Sequence, residues 1–510
     1  MVDEDTNTVP KPNCYSSPWF KILVVSVGFM IDAYDLFIFG MVIIIMGKLN
    51  PNDNTTTAKA VLGVSIIMGT VVGQLLFGTF GDLFGRRRVF IATLSLIIVF
   101  TFCSAFAFSI NDTYYISLTI MRILLGIGIG GEYPLSATIA AESSPNVERR
   151  GCMMATVFSM QGIGNFLAPV VVCLLLLSGL PLDTIWRCAL GFGAIPGVGI
   201  LYWRLKLEET YHPPSITTLS TKDLSSPPSS PTLKFALKPE AEMPSTFLES
   251  IRMYIWPLIG TTLSWFLFDI AFYGNGFFKE TVIIIFGLST SSNHTLLNDT
   301  YPLQPSWWST PNLQQEQMRA EIAKTTIASL IIAGMALPGY WCSVFLIEAI
   351  GRKKLQIAGF LLEAIIFLVM GIFYKQIQDV PILFVLLYGL TFFFSNAGPN
   401  TTTYVLAAEA FPKRIRSTCH GISSASGKLG ALFGVAVFPS FVAALGVPAV
   451  FIFCGVVLVV GFVVTVIFIP ETKGKDMDTE EFEKVDEQSI EEEEKSVVLE
   501  GEEKDSLDSD

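Results

Sequence analysis

Twelve stretches of mostly apolar residues run through this chain, near 19–47, 60–81, 89–110, 114–140, 152–178, 185–204, 251–286, 323–348, 355–375, 381–407, 417–443 and 446–469. Crossing the hydrocarbon of a bilayer takes about 20 apolar residues as a helix, against about 9–11 for a barrel strand. Lipid offers the backbone no hydrogen bonds, so runs this long must satisfy their amides internally, as α-helices. The chain therefore reads as an all-α membrane protein with twelve transmembrane helices. Composition agrees, with 51% hydrophobic and only 15% charged residues, where a soluble chain carries about 25% charged. Nucleic-acid binding and soluble catalysis are set aside, and the lipid bilayer is the first partner.

Residues 205–250 separate six runs from the next six and are rich in Ser, Pro and Thr, as at Pro213-Pro214 and from Ser225 to Pro231. Such a segment cannot bury a core and reads as a linker. The organisation is then a segment 1–18, a six-helix bundle 19–204, the linker 205–250, a second bundle 251–470 and a tail 471–510. The net charge of -12 belongs to the tail, which holds 18 acidic and 5 basic residues, while the remainder holds 27 and 28. Runs such as Glu491–Glu494, with few aromatics, make the tail read as disordered and solvated. No basic segment precedes the first run, so no cleaved signal peptide is expected. Cys103, Cys173, Cys188, Cys342 and Cys454 lie in or beside apolar runs, and His212, His294 and His420 are scattered. No metal site and no other cofactor is expected from that pattern.

Arg86-Arg87-Arg88, Arg149-Arg150, Arg352-Lys353-Lys354 and Lys413-Arg414-Arg416 fall on one side of a twelve-span topology, together with the linker and both termini. Basic loops mark the cytoplasmic side. The opposite loops hold Asn54, Asn111, Asn293 and Asn298, each in the Asn-x-Thr pattern of glycosylation. The halves also repeat. Asp82 and Arg86 follow span two as Glu348 and Arg352 follow span eight. Glu142 lies 60 residues beyond Asp82 with Arg149 seven further on, and Glu409 lies 61 beyond Glu348 with Arg416 seven further on. A duplicated six-span unit explains both spacings and makes the bundles pseudo-symmetric. These eight charges read as pairs that close the cytoplasmic end until the halves rock, as well as fixing topology.

The loop repeat, with Pro470-Glu471-Thr472-Lys473-Gly474 after the last span, resembles the major facilitator superfamily. Gly130–Ala137 (GGEYPLSA), Phe158–Gly162 (FSMQG), Trp265–Gly274 (WFLFDIAFYG), Gly398–Thr403 (GPNTTT) and His420–Gly430 resemble the phosphate:proton symporters of fungi and plants. The resemblance runs from about residue 19 to 475 and implies two six-helix bundles with a central site and alternating access. It also implies a phosphate pocket which, carried over residue by residue, comprises Tyr133, Gln161, Trp265, Asp269, Tyr273 and Asn400, with Lys428 matching a lysine near the acid. One position departs: Glu132 stands where that family usually has Asp. The added methylene leaves open a lengthened proton relay or a neighbouring branch that carries glycerophosphodiesters.

A charge at mid-bilayer costs about 2.5–3.5 kcal/mol even on lenient scales, so an acid inside a span is read as functional. Asp32, Asp35, Glu132, Glu142 and Asp269 qualify, with Arg122 and Lys428 as the bases within spans. Trp265, Asp269 and Tyr273 recur every fourth residue and stack on one helical face. That face offers an indole N–H, a phenol and, once protonated, a carboxyl, all donors toward phosphate oxygens. An ionised Asp269 about 4 Å from phosphate repels it by about 4 kcal/mol at an effective dielectric of 20. Phosphate and proton should therefore bind together, with Lys428 attracting the anion and pairing with Asp269 after release. Asp32 and Asp35 share a face and, with Glu132 and Arg122, form the candidate proton route. The structural alternative pairs the span-one acids with Arg122, which lies about 15 Å along its helix from Glu132. Gly126–Gly131 (GIGIGG) sits inside a span with no preceding strand, and reads as close helix packing rather than a phosphate loop.

The expected function is proton-coupled import of inorganic phosphate by a monomeric carrier in the plasma membrane, with protons as coupling ion and no enzymatic activity. The rivals are the same machine carrying organic phosphates, a sugar or polyol carrier, against which Asp269 and Lys428 argue, and a receptor that signals without transport.

Overall fold

The computed structural model describes residues 17–49, 56–108, 114–211, 247–285 and 311–476. The four glycosylation candidates, Asn54, Asn111, Asn293 and Asn298, lie outside these residues, as do linker residues 212–246 and the tail beyond 476. Every regular element among the described residues is helical. Among the described residues, twelve spans are long and apolar enough to cross a membrane: Pro18–Leu49, Val61–Phe84, Arg86–Ala105, Tyr115–Glu142, Val147–Leu177 and Leu182–Arg204, then Ile255–Gly276, Gln315–Ile350, Arg352–Ile372, Pro381–Glu409, Arg416–Leu445 and Val447–Phe468. They are numbered one to twelve below.

The expected twelve runs each fall on one of these spans. The largest departure is span eight, whose helix begins at Pro311 rather than near 323. Its first turns, Asn312 to Glu321, are mostly polar, so hydropathy alone cannot see them. Spans six and ten are each made of two helices, the latter broken between Asn396 and Pro399, where proline supplies no N–H to continue the ladder.

With no hydrophobic driving force inside lipid, helices associate through close backbone contact. The glycine-rich run of span four does this against span two: a Cβ on Gly69 would lie 3.0 Å from the Cα of Gly126. Gly85 and Gly351, at φ of 91° and 102°, make matching turns into spans three and nine, a conformation open to residues without a Cβ.

Across the halves, span two packs along span eleven and span five along span eight. These two inter-half contacts are symmetry partners of one another. The end carrying Arg86, Arg352 and Arg416 is called the basic face. At the opposite face Lys48 pairs with Glu321, and Arg319 of span eight donates to the carbonyls of Leu176, Gly179 and Leu180. Both ends of the inter-half seam are therefore held.

Candidate substrate and proton-coupling site

Tyr133, Gln161, Trp265, Asp269, Tyr273, Asn400 and Lys428 are all buried, at 1–4% exposure, and the fold gathers them from spans four, five, seven, ten and eleven. Lys428 Nζ lies 2.9 Å from Asp269 Oδ2. The same ammonium stands 4.3 Å from the ring centroid of Tyr273 and 5.1 Å from that of Tyr133, so both π-faces and the carboxylate balance its charge. Gln161 is the hub of the neutral groups. Its Nε2 donates to the Tyr133 hydroxyl at 3.0 Å. Its Oε1 accepts from the Tyr340 hydroxyl at 3.0 Å and from Asn400 Nδ2 at 3.2 Å. Asn400 Nδ2 also donates to Asn396 Oδ1 at 2.7 Å. Gln161 belongs to the first half, and Tyr340, Asn396 and Asn400 to the second, so this network ties the bundles together at mid-span.

A second charged cluster lies in the first half. Glu132 accepts from Arg204 through both oxygens, at 2.6 Å each, and from Thr93 Oγ1 at 2.6 Å. Arg204 also donates to the Phe90 carbonyl at 2.8 Å, and its guanidinium lies 3.5 Å from the Phe90 ring centroid. Arg204 therefore joins Arg122 and Lys428 as a base inside the apolar layer, a member the sequence reading left out. Asp32 is 2% exposed, and neither carboxylate oxygen has a protein hydrogen-bond partner. Asp35 accepts from Thr101 Oγ1 at 2.6 Å. The ion pair of the structural alternative, between a span-one acid and Arg122, is not formed. Arg122 Nη1 donates instead to the Asp35 main-chain carbonyl at 3.2 Å, and its guanidinium rests 4.4 Å from the Phe39 ring centroid. Glu363 in span nine, also unforeseen, is 1% exposed and bonds Ser395 Oγ at 2.6 Å.

At the basic face the repeated charges assemble as two matching clusters. Arg86 pairs with Asp82 at 2.6 Å and with Glu142 at 3.2 Å. Arg352 pairs with Glu348 at 2.6 Å and with Glu409 at 2.8 Å. Each cluster reaches into the other half. Asp82 accepts from the Thr418 N–H at 2.7 Å, the Thr418 hydroxyl at 2.6 Å and the Ser417 N–H at 3.3 Å, at the start of span eleven. Glu348 accepts from the Cys152 N–H at 2.9 Å, near the start of span five. Ser417 and Thr418 are the second and third residues of their helix, so Asp82 satisfies free amides there and meets the positive end of the dipole. Arg416 approaches Glu142 at 3.9 Å. Arg149 does not take its expected place. It is exposed, while its neighbour Arg150 is buried and reaches Asp476 at 3.4 Å. Adjacent helical residues point about 100° apart, from 3.6 residues per turn, so one position of error in the repeat turns the side chain to solvent.

Four further residues complete the clusters. Glu209 accepts from the Arg87 N–H at 3.1 Å and Glu471 from the Arg352 N–H at 2.9 Å, while Thr210 donates to Glu142 at 2.8 Å and Thr472 to Glu409 at 2.6 Å. The signal was a Glu-Thr pair after the sixth span and again after the twelfth. Beside the first pair, Arg86 lies 4.2 Å from the Tyr211 ring centroid.

The sequence profile described as Major Facilitator Superfamily matches residues 25–301, and that described as Sugar (and other) transporter matches residues 317–485. The chain is 34% identical to "Inorganic phosphate transporter 1-11" of Oryza sativa subsp. japonica, over 90% of this chain and 86% of that protein. It is 36% identical to "Low affinity inorganic phosphate transporter 4" of Medicago truncatula, over 81% of each.

The chain belongs to the inorganic phosphate transporter family of the major facilitator superfamily.

The family likeness read from the motifs is thus borne out, and so is the expectation of a transporter rather than an enzyme. Among solved structures, the proton:xylose symporter XylE bound to 6-bromo-6-deoxy-D-glucose superposes with a TM-score of 0.66 and 21% identity, over 91% of this chain and 98% of that one. That likeness carries the fold, two six-helix bundles of a multi-pass carrier.

Proposed function

We propose that this carrier imports inorganic phosphate together with protons, alternating access to a site between its halves. The observation that carries the reading is the Lys428–Asp269 pair at 2.9 Å, set among neutral donors from both bundles. In the empty carrier the lysine is neutralised by the aspartate. A monoanion arriving there would leave a net negative charge in a buried layer. A proton on Asp269 restores neutrality, frees Lys428 for the anion and adds a donor. The charges on Asp269 and phosphate, about 4 Å apart, otherwise cost about 4 kcal/mol at an effective dielectric of 20.

Asp32, Asp35, Glu132 and Arg122 supply the proton route. Asp32 gives up no protein hydrogen bond when it is protonated, while Glu132 is bonded through both oxygens to Arg204. That clamp also accounts for the extra methylene of Glu132 without a larger substrate, since the carboxylate is committed to Arg204 and Thr93. Opening the basic face requires Asp82 to leave span eleven and Glu348 to leave span five. We take that face as cytoplasmic, with both termini beside it, and place a functional monomer in the plasma membrane.

The test is labelled-phosphate uptake into proteoliposomes under an imposed pH gradient, with glycerophosphodiester and sodium-replacement arms. Acid outside should accelerate phosphate uptake, indifferent to sodium. Uptake of the diester in preference to phosphate, or rates independent of the gradient, would overturn the reading.

A further inference from the structure

One cavity, of about 50 Å³, lies between the halves on the side of the opposite face. Its lining is the outer edge of the central layer, with Tyr273 common to both, and the helical turn beyond it. Asn165 follows Gln161 by four residues, Tyr273 follows Asp269 by four and Leu36 follows Asp32 by four. On the spans that run the other way, Ala336 precedes Tyr340 by four and Phe392 precedes Asn396 by four. The walls are otherwise apolar, with Phe37, Phe272 and Ile332 among them. Two polar groups interrupt them. Asn165 Oδ1 is buried with no protein hydrogen-bond partner, and the buried Tyr273 hydroxyl meets only the Tyr133 hydroxyl, which leaves its own proton uncommitted. Polar atoms left so in an apolar wall cost free energy unless something visits them.

We propose that this cavity is a first binding station for the phosphate monoanion on its way in from the opposite face, with Asn165 as a ligand outside the central site. The inference rests on the phosphate reading above. The two groups can act here in opposite senses, Asn165 Oδ1 as an acceptor and the Tyr273 hydroxyl as a donor. A singly charged phosphate matches both: a P–O–H donates to Asn165 Oδ1, and a bare oxygen accepts from Tyr273. Lys428, 4.3 Å from the Tyr273 ring centroid, draws the anion one turn inward once a proton on Asp269 has freed it. Burying charge in an apolar chamber is costly, and that cost grows with the square of the charge, so a monoanion passes more easily than a dianion. Sulfate, doubly charged and without an O–H, fails on both counts. Arsenate as its monoanion passes on both. Asn165 is then a residue that sets selectivity among oxyanions before the central site is reached.

The experiment is uptake of labelled phosphate into proteoliposomes from the opposite face, with arsenate and sulfate as competitors. Wild type should be inhibited far more by arsenate than by sulfate. Asn165→Leu should raise half-saturating phosphate about tenfold from that face, the effect of losing a hydrogen bond to a charged ligand. The same variant should narrow the arsenate-over-sulfate preference. Phosphate supplied from the basic face meets the central site first, so its half-saturation should not move. If Asn165→Leu does not fold, Asn165→Asp carries the test, because its carboxylate keeps the shape and repels the anion, which should again raise half-saturation. A folded variant with wild-type half-saturation and wild-type preference overturns the proposal. Wild-type protein that takes up no phosphate overturns the underlying reading instead, and the two failures are told apart by that control.

Discussion

Asp82→Asn should unlatch the basic face. The Asp82 side chain is 1% exposed, so its bonds are not screened by water. Its pair with Arg86 lies within one half, persists when the halves separate, and cancels between the closed and open states. What is lost on opening is the set of three bonds to the start of span eleven, from the Ser417 N–H, the Thr418 N–H and the Thr418 hydroxyl. Bonds to a charged group contribute about 1.5–3 kcal/mol each in isolation. Asparagine keeps the shape and one accepting oxygen but loses the charge facing the helix dipole. We therefore expect a loss of about 2 kcal/mol from the closed state, roughly a thirtyfold rise in the open population. Cys419, fully buried beside these residues, reports it. In a variant retaining Cys419 as the sole cysteine, the rate of modification by a membrane-permeant maleimide should rise by about that factor. An unchanged rate in folded Asp82→Asn protein would refute the latch. Glu348→Gln, tested on Cys152, should give a smaller rise, because only one cross-half bond is lost and the Glu348 side chain is 23% exposed.

Arg204→Leu leaves Glu132 buried without its cation and should cost about 3–5 kcal/mol of stability, read as a large fall in midpoint temperature in detergent. The double variant Arg204→Leu/Glu132→Leu should regain most of the loss, and a double variant no better than the single would show that packing, not charge, was broken. Gly69→Ala drives a methyl against the span-four backbone, 3.0 Å from the Gly126 Cα, and should lower folded yield in fluorescence size-exclusion far more than the exposed Arg149→Ala, which should stay within about 0.5 kcal/mol of wild type.

The twelve spans were legible because hydrocarbon thickness sets a minimum run of apolar residues that few other structures need. The charge clusters of the basic face were legible because duplication printed their acids and bases twice, at Asp82, Arg86, Glu348 and Arg352. The central polar layer was readable only where a charge or amide interrupts a span. Tyr340, an aromatic in an apolar helix, carries no such mark, yet its hydroxyl bonds Gln161 at 3.0 Å. Asn396 could have been found, since it precedes Asn400 by one helical turn. Arg204 sits in Tyr202-Trp203-Arg204, which reads like a snorkelling base at a membrane boundary, and only the packing of spans three, four and six shows it turning inward to Glu132. Arg149 and Arg150 differ by a rotation about the helix that no spacing rule resolves without a partner surface.

The central claim is that Asp269 must be neutral for phosphate to sit beside Lys428, and proton uptake on binding measures it most directly. Purified carrier in weakly buffered detergent, at a pH where free phosphate is already the monoanion, should take up protons as phosphate is added. Asp269→Asn should bind phosphate without that uptake. Wild-type protein that binds phosphate with no proton uptake, and equally well across the pH range, would contradict the account.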